Sequence, residues 1–161
     1  MDRYAASLLD VVLGGGMSSR LFQEVRERRG LAYTVYSSYS GYDDTGELSI
    51  YVGTGPNRVG EALEVVLAEF ANISTGVTDL ELDRAKRHLR ATTLLGLEDT
   101  SARMSRIGRS LLLHGDVLAT EQVMARIDAV TGDDIVALAE QLTSVDPVVV
   151  AVGPLKANAL A

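Results

Sequence analysis

The stretch GGGMSSRLFQEVRERRGLAYTVYSSYS, residues 14–40, changes its structural pattern at Gly30. Before Gly30, apolar residues at helical spacing predict a helix over residues 17–29. Gly30 is a natural C-terminal cap, because glycine readily adopts the left-handed backbone conformation that ends many helices. After Gly30, the tyrosines and β-branched residues favour a β-strand. The stretch therefore predicts a helix that ends at a glycine and passes directly into a strand.

The segments before and after residues 14–40 predict a further helix and a second strand. Residues 3–13 place apolar side chains every three or four positions and predict a helix that ends at the glycines. The sequence DDTG, residues 43–46, has the composition of a tight turn. ELSIYV, residues 47–52, then alternates apolar and polar side chains, as a strand with one buried face does. Together with the strand before it, this segment predicts a β-hairpin.

Helices dominate the rest of the chain. The sequence predicts them from Pro56 to Gly76, after a capping box formed by Thr78 and Glu81, and near residues 99–113, 119–130 and 132–143. Near the end of the chain, the apolar run PVVVAV, residues 147–152, predicts a strand that is buried on both faces.

These elements indicate an α+β fold in two layers, with helices packed on one mainly antiparallel β-sheet. Three strands form a thin sheet for so many helices. We therefore expect a further strand upstream of Met1, which makes the chain a fragment of a longer protein. Residues 1–161 suffice for a single domain with its own core, and no long linker divides them.

Composition and charge exclude several classes of protein. The chain has no cysteine, which excludes disulfides, thiolate zinc sites and a thiol nucleophile. Its net charge of −7 argues against nucleic acid as a partner. The opening MDRYAASLLD has the pattern of neither a signal peptide nor a membrane anchor. We expect a protein that works in the cytoplasm, away from membranes.

Few residues are candidates for binding metal or phosphate. The two histidines, His88 and His114, belong to no His-x-x-x-His or His-x-x-Glu-His pattern, and we expect neither to bind a metal. The glycines Gly14, Gly15 and Gly16 precede a helix, whose N-terminus attracts anions, but they lack the lysine and spacing of a phosphate-binding loop. Two interpretations stay open for them: a helix cap with a tight turn, or a flexible backbone that contacts a ligand or partner.

Arg26 and Tyr33 lie on either side of the predicted turn at Gly30. A permanent cation and a phenol that point the same way supply the two donors that a polarised carbonyl or a developing oxyanion requires. A surface arginine and a half-buried strand tyrosine fit the same spacing equally well. Arg28 and Arg29 are just as near, so spacing alone does not single out Arg26.

Arg26 and Tyr33 belong to a longer stretch of sequence that resembles a known family. VLGGGMSSRLFQEVRERRGLAYTVYSSYS, followed by DDTG and ELSIYVGT, resembles the C-terminal half-domain of the pitrilysin/insulinase zinc peptidases. The similarity runs from about Asp2 to Pro154 and is strongest with the branch of the mitochondrial processing peptidase β subunit and its bacterial relatives. Members of this family are built from similar α+β halves that enclose a chamber for unfolded peptides.

The resemblance implies roles for particular residues. Its N-terminal half carries zinc on an inverted His-x-x-Glu-His motif with a distal glutamate, and this motif is absent here. Its C-terminal half lends the substrate an arginine and a tyrosine seven residues apart, which correspond to Arg26 and Tyr33. The triplet Gly14–Gly16 corresponds to the start of a glycine-rich loop, which is short in this chain.

The resemblance implies a substrate-chamber domain of a zinc metalloendopeptidase that binds the peptide and assists oxyanion stabilisation. This fragment would hold no cofactor and hydrolyse nothing alone, since zinc is expected in the missing half. Its expected partners are an N-terminal catalytic half or partner subunit and an unfolded peptide, in a homo- or hetero-oligomer without nucleic acid or membrane. The alternative is a non-catalytic scaffold or partner subunit of the same fold. A His-x-x-Glu-His motif upstream would favour the peptidase.

Overall fold

The structure, a computed structural model, describes residues 3–42 and 44–155. Its elements in chain order are helix α1 (Arg3–Leu13), a π-helix (Phe22–Arg28), strands β1 (Ala32–Gly41) and β2 (Gly46–Thr54), a 3₁₀ turn (Pro56–Arg58), and helices α2 (Val59–Ile73), α3 (Asp79–Leu95), α4 (Thr100–His114), α5 (Thr120–Ala129) and α6 (Gly132–Thr143). The order of helix, helix, hairpin and helices is the one that the sequence predicts.

Strands β1 and β2 form an antiparallel hairpin, in which Tyr36 lies opposite Tyr51. Val35 of β1 is buried, and its partner Val52 on β2 packs against the same apolar core. Tyr36 and Tyr51 lie on the other face and are exposed. One face of the hairpin therefore carries the helical layer, and the α+β fold class is confirmed.

The hydrophobic core lies between the hairpin and the helices. Leu8 and Leu13 of α1 and Val25 of the π-helix are fully buried, as is Ile135 of α6. Helix α1 packs against β1, α3 and α6, so it lies at the centre of the helical layer. Each fully buried aliphatic side chain stabilises the fold by about 1.5–3 kcal/mol relative to an exposed one. This packing fixes the position of the π-helix against β1.

The caps that the sequence predicts are present. Thr78 accepts a hydrogen bond from the Glu81 backbone N–H at 3.3 Å, and the Glu81 carboxylate accepts one from the Thr78 backbone N–H at 2.9 Å. Thr131 and Asp134 form the same reciprocal pair, at 3.2 and 2.8 Å. These capping boxes satisfy the free N–H groups at the starts of α3 and α6.

The predicted strand at residues 147–152 is wrong. The structure assigns no strand there, and the side chains of Val148, Val150 and Val152 are 92%, 81% and 96% exposed. A strand forms only where a neighbour accepts and donates its backbone hydrogen bonds. Within residues 3–42 and 44–155, the sheet consists of β1 and β2 alone, so the valine run pairs with no strand there.

The helix predicted over residues 17–29 is shorter in the structure. Residues 17–19 form a turn, and the helical backbone spans residues 20–28. Ser19 causes this start, because its hydroxyl donates to the Gly16 carbonyl at 2.6 Å and lies 3.4 Å from the Phe22 backbone nitrogen. In the described part of the chain, no helix is long and apolar enough to cross a membrane.

Candidate substrate-contact site

The chain reverses direction at Gly30, which has φ +59° and the left-handed conformation predicted for a helix cap. The Gly30 N–H donates to the Arg26 carbonyl at 3.1 Å, and the Leu31 N–H donates to the Val25 carbonyl at 2.8 Å. These two bonds fold the start of β1 back against the helix. Arg26 and Tyr33 are thereby brought to the same end of the hairpin.

The helix that carries Arg26 is a π-helix, a form that the sequence did not predict. Such helices are rare because they widen the backbone and weaken its packing, and they occur often at functional sites. Seven residues, Phe22–Arg28, adopt this form here. The helix that carries Arg26 therefore departs from the regular α-helix.

A second irregularity lies at Tyr33. Ala32 pairs with Thr54 and Thr34 pairs with Gly53, so Tyr33 is the extra residue of a β-bulge. Bulges re-aim a side chain and are over-represented beside active sites. The Tyr33 side chain is 80% exposed, whereas the sequence allowed a half-buried strand tyrosine. The bulge turns this phenol away from the core.

The Arg26 guanidinium contacts two aromatic rings. Its central carbon is 4.7 Å from the centroid of the Phe22 ring and 4.8 Å from the centroid of the Tyr33 ring. Both distances fall within the range of a cation–π contact. Because these contacts involve the ring faces, they hold the cation without using its N–H donors. The sequence analysis missed Phe22, although its position four residues before Arg26 is a signal for such a contact.

Arg28 and Arg29 have a different environment. An Arg28 N–H donates to the Glu24 carboxylate, and the Arg29 Nε lies 3.8 Å from the same carboxylate. Arg26 has only a long contact with Glu27, at 3.6 Å, among the ion pairs of the described residues. Of these neighbouring arginines, Arg26 is the one that contacts Tyr33. The structure thus brings Arg26 against Tyr33, and the assignment of this pair as the site stays a prediction.

Comparison with known proteins decides the family of this chain. Residues 1–89 match the family model described as the peptidase M16 inactive domain. The chain belongs to that family. This M16 domain spans about a third of the length of the curated relatives that it matches.

The relatives and solved structures agree with this assignment. An uncharacterized zinc protease of Streptomyces coelicolor is 46% identical over 155 residues, which cover 96% of the M16 domain and 34% of the relative. An uncharacterized zinc protease of Bacillus subtilis is 40% identical over 152 residues, with 94% and 37% covered. A solved peptidase M16 inactive domain from Pseudomonas fluorescens has a TM-score of 0.74 and 30% identity, with 87% and 34% covered. The family resemblance drawn from the sequence is confirmed.

The glycine triplet of the M16 domain is a packing feature at two of its positions. A Cβ on Gly14 would lie 2.3 Å from the backbone nitrogen of Ser37 in β1, and one on Gly15 would lie 2.7 Å from the Cα of Val11. A Cβ on Gly16 would meet nothing within 4 Å. The triplet therefore makes a tight turn that lets α1 approach β1 closely, which favours the first interpretation drawn from the sequence.

Beside this turn, two polar groups meet below the surface. The Ser37 hydroxyl donates to the Asp10 carboxylate at 2.5 Å and to the Asp10 carbonyl at 3.0 Å. Partial burial raises the pKa of Asp10, and the hydrogen bond from Ser37 opposes that rise. These contacts connect α1 to β1 on the inner side of the hairpin.

The start of the helical segment is anchored by an ion pair that the sequence did not predict. Arg20 donates to Glu81 of α3 at 2.7 and 3.1 Å, and to the Gly76 carbonyl at 2.8 Å. Burial alone would raise the pKa of Glu81, but hydrogen bonds from Arg20 and Thr78 together lower it to about 2. Arg20 is thus a structural residue.

The M16 domain offers no ligand set for zinc within residues 3–42 and 44–155. No group of three or more histidine, aspartate or glutamate side chains in this part of the chain converges on one point. His88 lies exposed on α3, and His114 is the last residue of α4, next to the left-handed Gly115. A catalytic zinc needs three protein ligands. The residues present do not fit the metal that the relatives' names imply.

Proposed function

We propose that residues 1–161 are a single C-terminal half-domain that contacts the substrate of a zinc metalloendopeptidase. In this proposal, Arg26 and Tyr33 donate to the carbonyl oxygen of the peptide bond that is hydrolysed. The observation that carries the proposal is the contact of the Arg26 guanidinium with the exposed Tyr33 ring at the junction of a π-helix and a β-bulge.

The chemistry of peptide hydrolysis explains why this pair is useful. The carbonyl oxygen gains negative charge as its carbon becomes tetrahedral. The Tyr33 hydroxyl and the Arg26 N–H groups are donors that match this charge, and arginine stays protonated at every physiological pH. Two ring faces hold the Arg26 cation, so less entropy is lost when it binds the oxygen. Donors placed in advance for an oxyanion are worth several kcal/mol in the transition state.

The proposal assigns the metal and the rest of the catalytic residues to a second half. The short span of the M16 domain within its relatives, which are named zinc proteases, supports this division. The partners of the domain are then a zinc-bearing N-terminal half, on the same chain or on another subunit, and an unfolded peptide. The domain positions the peptide and stabilises charge on it.

The test compares two arginines in the peptidase assembled from this domain and its zinc-bearing half, called here the assembled peptidase. Arg26→Ala removes the cation at the site, and Arg28→Ala removes a cation two residues away that is paired with Glu24. We expect Arg26→Ala to lower kcat/KM about 10- to 100-fold, the cost of a hydrogen bond from a charged group. Arg28→Ala should match the parent. Equal kinetics for Arg26→Ala and the parent would overturn the proposal.

The scaffold alternative makes a different prediction for the same assay. The matching family is described as an inactive domain, which is the observation that keeps this alternative open. A scaffold needs its interface but not the donors at Arg26 and Tyr33. If the domain is a scaffold, its association with the second half persists while neither substitution changes hydrolysis.

A further inference from the structure

We infer that Thr54 and Arg58 are positioning residues that hold the Gly30–Leu31 turn and thereby keep Arg26 in contact with Tyr33. The consequence for hydrolysis rests on the proposed function, whereas the positioning itself does not.

Two side chains from one segment bind consecutive carbonyls of the turn. The Thr54 hydroxyl donates to the Leu31 carbonyl at 2.6 Å, and an Arg58 N–H donates to the Gly30 carbonyl at 2.6 Å. Both are short hydrogen bonds, and that from Arg58 is charge-assisted. Thr54 is the last residue of β2, and Arg58 ends the 3₁₀ turn that follows. The end of β2 and the 3₁₀ turn that follows it therefore bind the Gly30–Leu31 turn.

Together with the bonds to the π-helix, these bonds hold the Gly30–Leu31 turn in place. The N–H groups of Gly30 and Leu31 donate back to the π-helix, to the carbonyls of Arg26 and Val25. Their carbonyls are bound by Arg58 and Thr54. All four polar backbone groups of this dipeptide thus have partners, two on each side. A segment with both of its peptide edges bound has little freedom to rotate.

The position of the turn matters because Tyr33 lies in a bulge. Ala32 is the last residue before Tyr33 with a partner in the ladder, and that partner is Thr54. Tyr33 itself is the extra residue and has no paired residue on β2. Its direction is therefore set by its neighbours in the chain, Ala32 before it and Thr34 after it. If the Gly30–Leu31 turn shifts, the Tyr33 ring moves relative to Arg26, which belongs to the helix on the other side of the turn.

The experiment measures the contact directly in the 161-residue chain. Aromatic rings displace the NMR resonances of groups near their faces, so the Arg26 side-chain δ protons report the Phe22 and Tyr33 rings. The variants are Thr54→Val, which replaces the hydroxyl by a methyl of similar size, and Arg58→Gln. Thr54→Ser restores the donor. Thr75→Val is the matched control, because Thr75 also donates to a carbonyl, that of Asn72, but away from this turn.

We expect Thr54→Val and Arg58→Gln to shift the Arg26 δ resonances towards those of an unstructured arginine, while the methyl resonances of the core stay in place. Thr54→Ser should return the Arg26 resonances to their parental positions, and Thr75→Val should not move them. Unchanged Arg26 resonances in both Thr54→Val and Arg58→Gln would overturn the inference. Arg58 is exposed, so its variant remains informative if Thr54→Val fails to fold.

Kinetics separate this inference from the proposed function. In the assembled peptidase, a displaced pair should lower kcat on the order of 10-fold to 10²-fold, since small misplacements of catalytic groups have effects of that size. Thr54→Ser should restore kcat. If the Arg26 resonances move and kcat does not, the positioning inference stands and the proposed function of the pair fails.

Discussion

Glycines lie on both sides of the π-helix in the sequence, and the two sides differ in what the glycine does. Before the helix, Gly14 follows α1, lies against the backbone of β1 and leaves no room for a Cβ. At the far end, Gly30 has open space around it but a left-handed backbone. The first turn is a packing contact between α1 and the sheet. The second is an exposed reversal that places Arg26 and Tyr33 together. One side holds the fold, and the other presents the two side chains to which we assign contact with the substrate.

Arg20 and Arg26 differ in the same way as the two glycines. Arg20, near the start, is only 16% exposed and donates to Glu81 of α3 and to the Gly76 carbonyl in the loop before α3. Arg26, near the far end, is 37% exposed and contacts two rings. The structural arginine thus lies just before the π-helix, and the candidate functional one lies within it. Substitutions at the start should affect stability, and substitutions at the far end should affect the site.

The largest expected effect on stability is that of Gly14→Ala. The new Cβ would lie 2.3 Å from the Ser37 backbone nitrogen, so α1 and β1 must move apart. We expect a loss of about 3 kcal/mol in the free energy of unfolding, at the upper end for overpacking. Gly16→Ala is the control from the same triplet, since its Cβ meets nothing, and it should stay within about 0.5 kcal/mol of the parent. Urea unfolding measures both, and equal losses would contradict the packing account.

Arg20→Met should have the next largest effect. It removes three hydrogen bonds from a partly buried guanidinium and leaves the Gly76 carbonyl and the Glu81 carboxylate without that donor. We expect a loss of about 2 kcal/mol. Arg28→Met is the control, since Arg28 is an exposed partner in a surface pair and should contribute less than about 0.5 kcal/mol. If thermal or urea unfolding shows the same loss for both, the contrast between the two ends is wrong.

Gly30→Ala should lower the free energy of unfolding by less, because the substitution strains only the backbone conformation. With φ at +59°, an alanine is strained by about 1 kcal/mol, but no neighbour clashes with its Cβ. Gly30→Asn should cost less than Gly30→Ala, since asparagine tolerates this conformation better. Urea unfolding again measures the difference. A loss for Gly30→Ala as large as that for Gly14→Ala would show that the two turns do not differ as described.

The stability of the fold should also depend on acid, through the Arg20–Glu81 pair. The pKa of Glu81 in the folded state is lowered to about 2 from an ordinary value of 4.5. Between these values the unfolded state binds more protons, so the stability that Glu81 contributes is present above pH 4.5 and is lost as pH falls towards 2. Glu81→Gln should flatten the decline of stability across this window. An unchanged acid-unfolding curve for Glu81→Gln would show that the Arg20–Glu81 pair does not govern it.

Most of the fold was predictable because its signals are local. The period of the apolar residues, the capping residues Thr78 and Thr131, and Gly30 all act within a few residues of their position. The strand at residues 147–152 was not predictable in the same way. A run of valines favours a strand. A strand also needs a neighbouring strand for its backbone hydrogen bonds, and that neighbour lies elsewhere in the chain or outside it.

The site was predictable only in part. The seven-residue interval between Arg26 and Tyr33 is visible in the sequence, but it does not distinguish Arg26 from Arg28 or Arg29. That distinction depends on the contact of Arg26 with the Tyr33 ring, which joins the helix before the turn to the strand after it. The contacts of Thr54 and Arg58 with the turn join residues more than twenty positions apart and left no sequence signal.

The most direct test of the central claim is the kinetics of Tyr33→Phe in the assembled peptidase. The substitution removes one exposed hydroxyl and keeps the ring that contacts Arg26. We expect kcat to fall on the order of 10²-fold, as for the loss of one oxyanion donor, with a smaller change in KM and an unchanged urea midpoint. Tyr36→Phe, which removes a hydroxyl from the tyrosine stacked on Tyr51, should match the parent in all three quantities. A parental kcat for Tyr33→Phe would contradict the account.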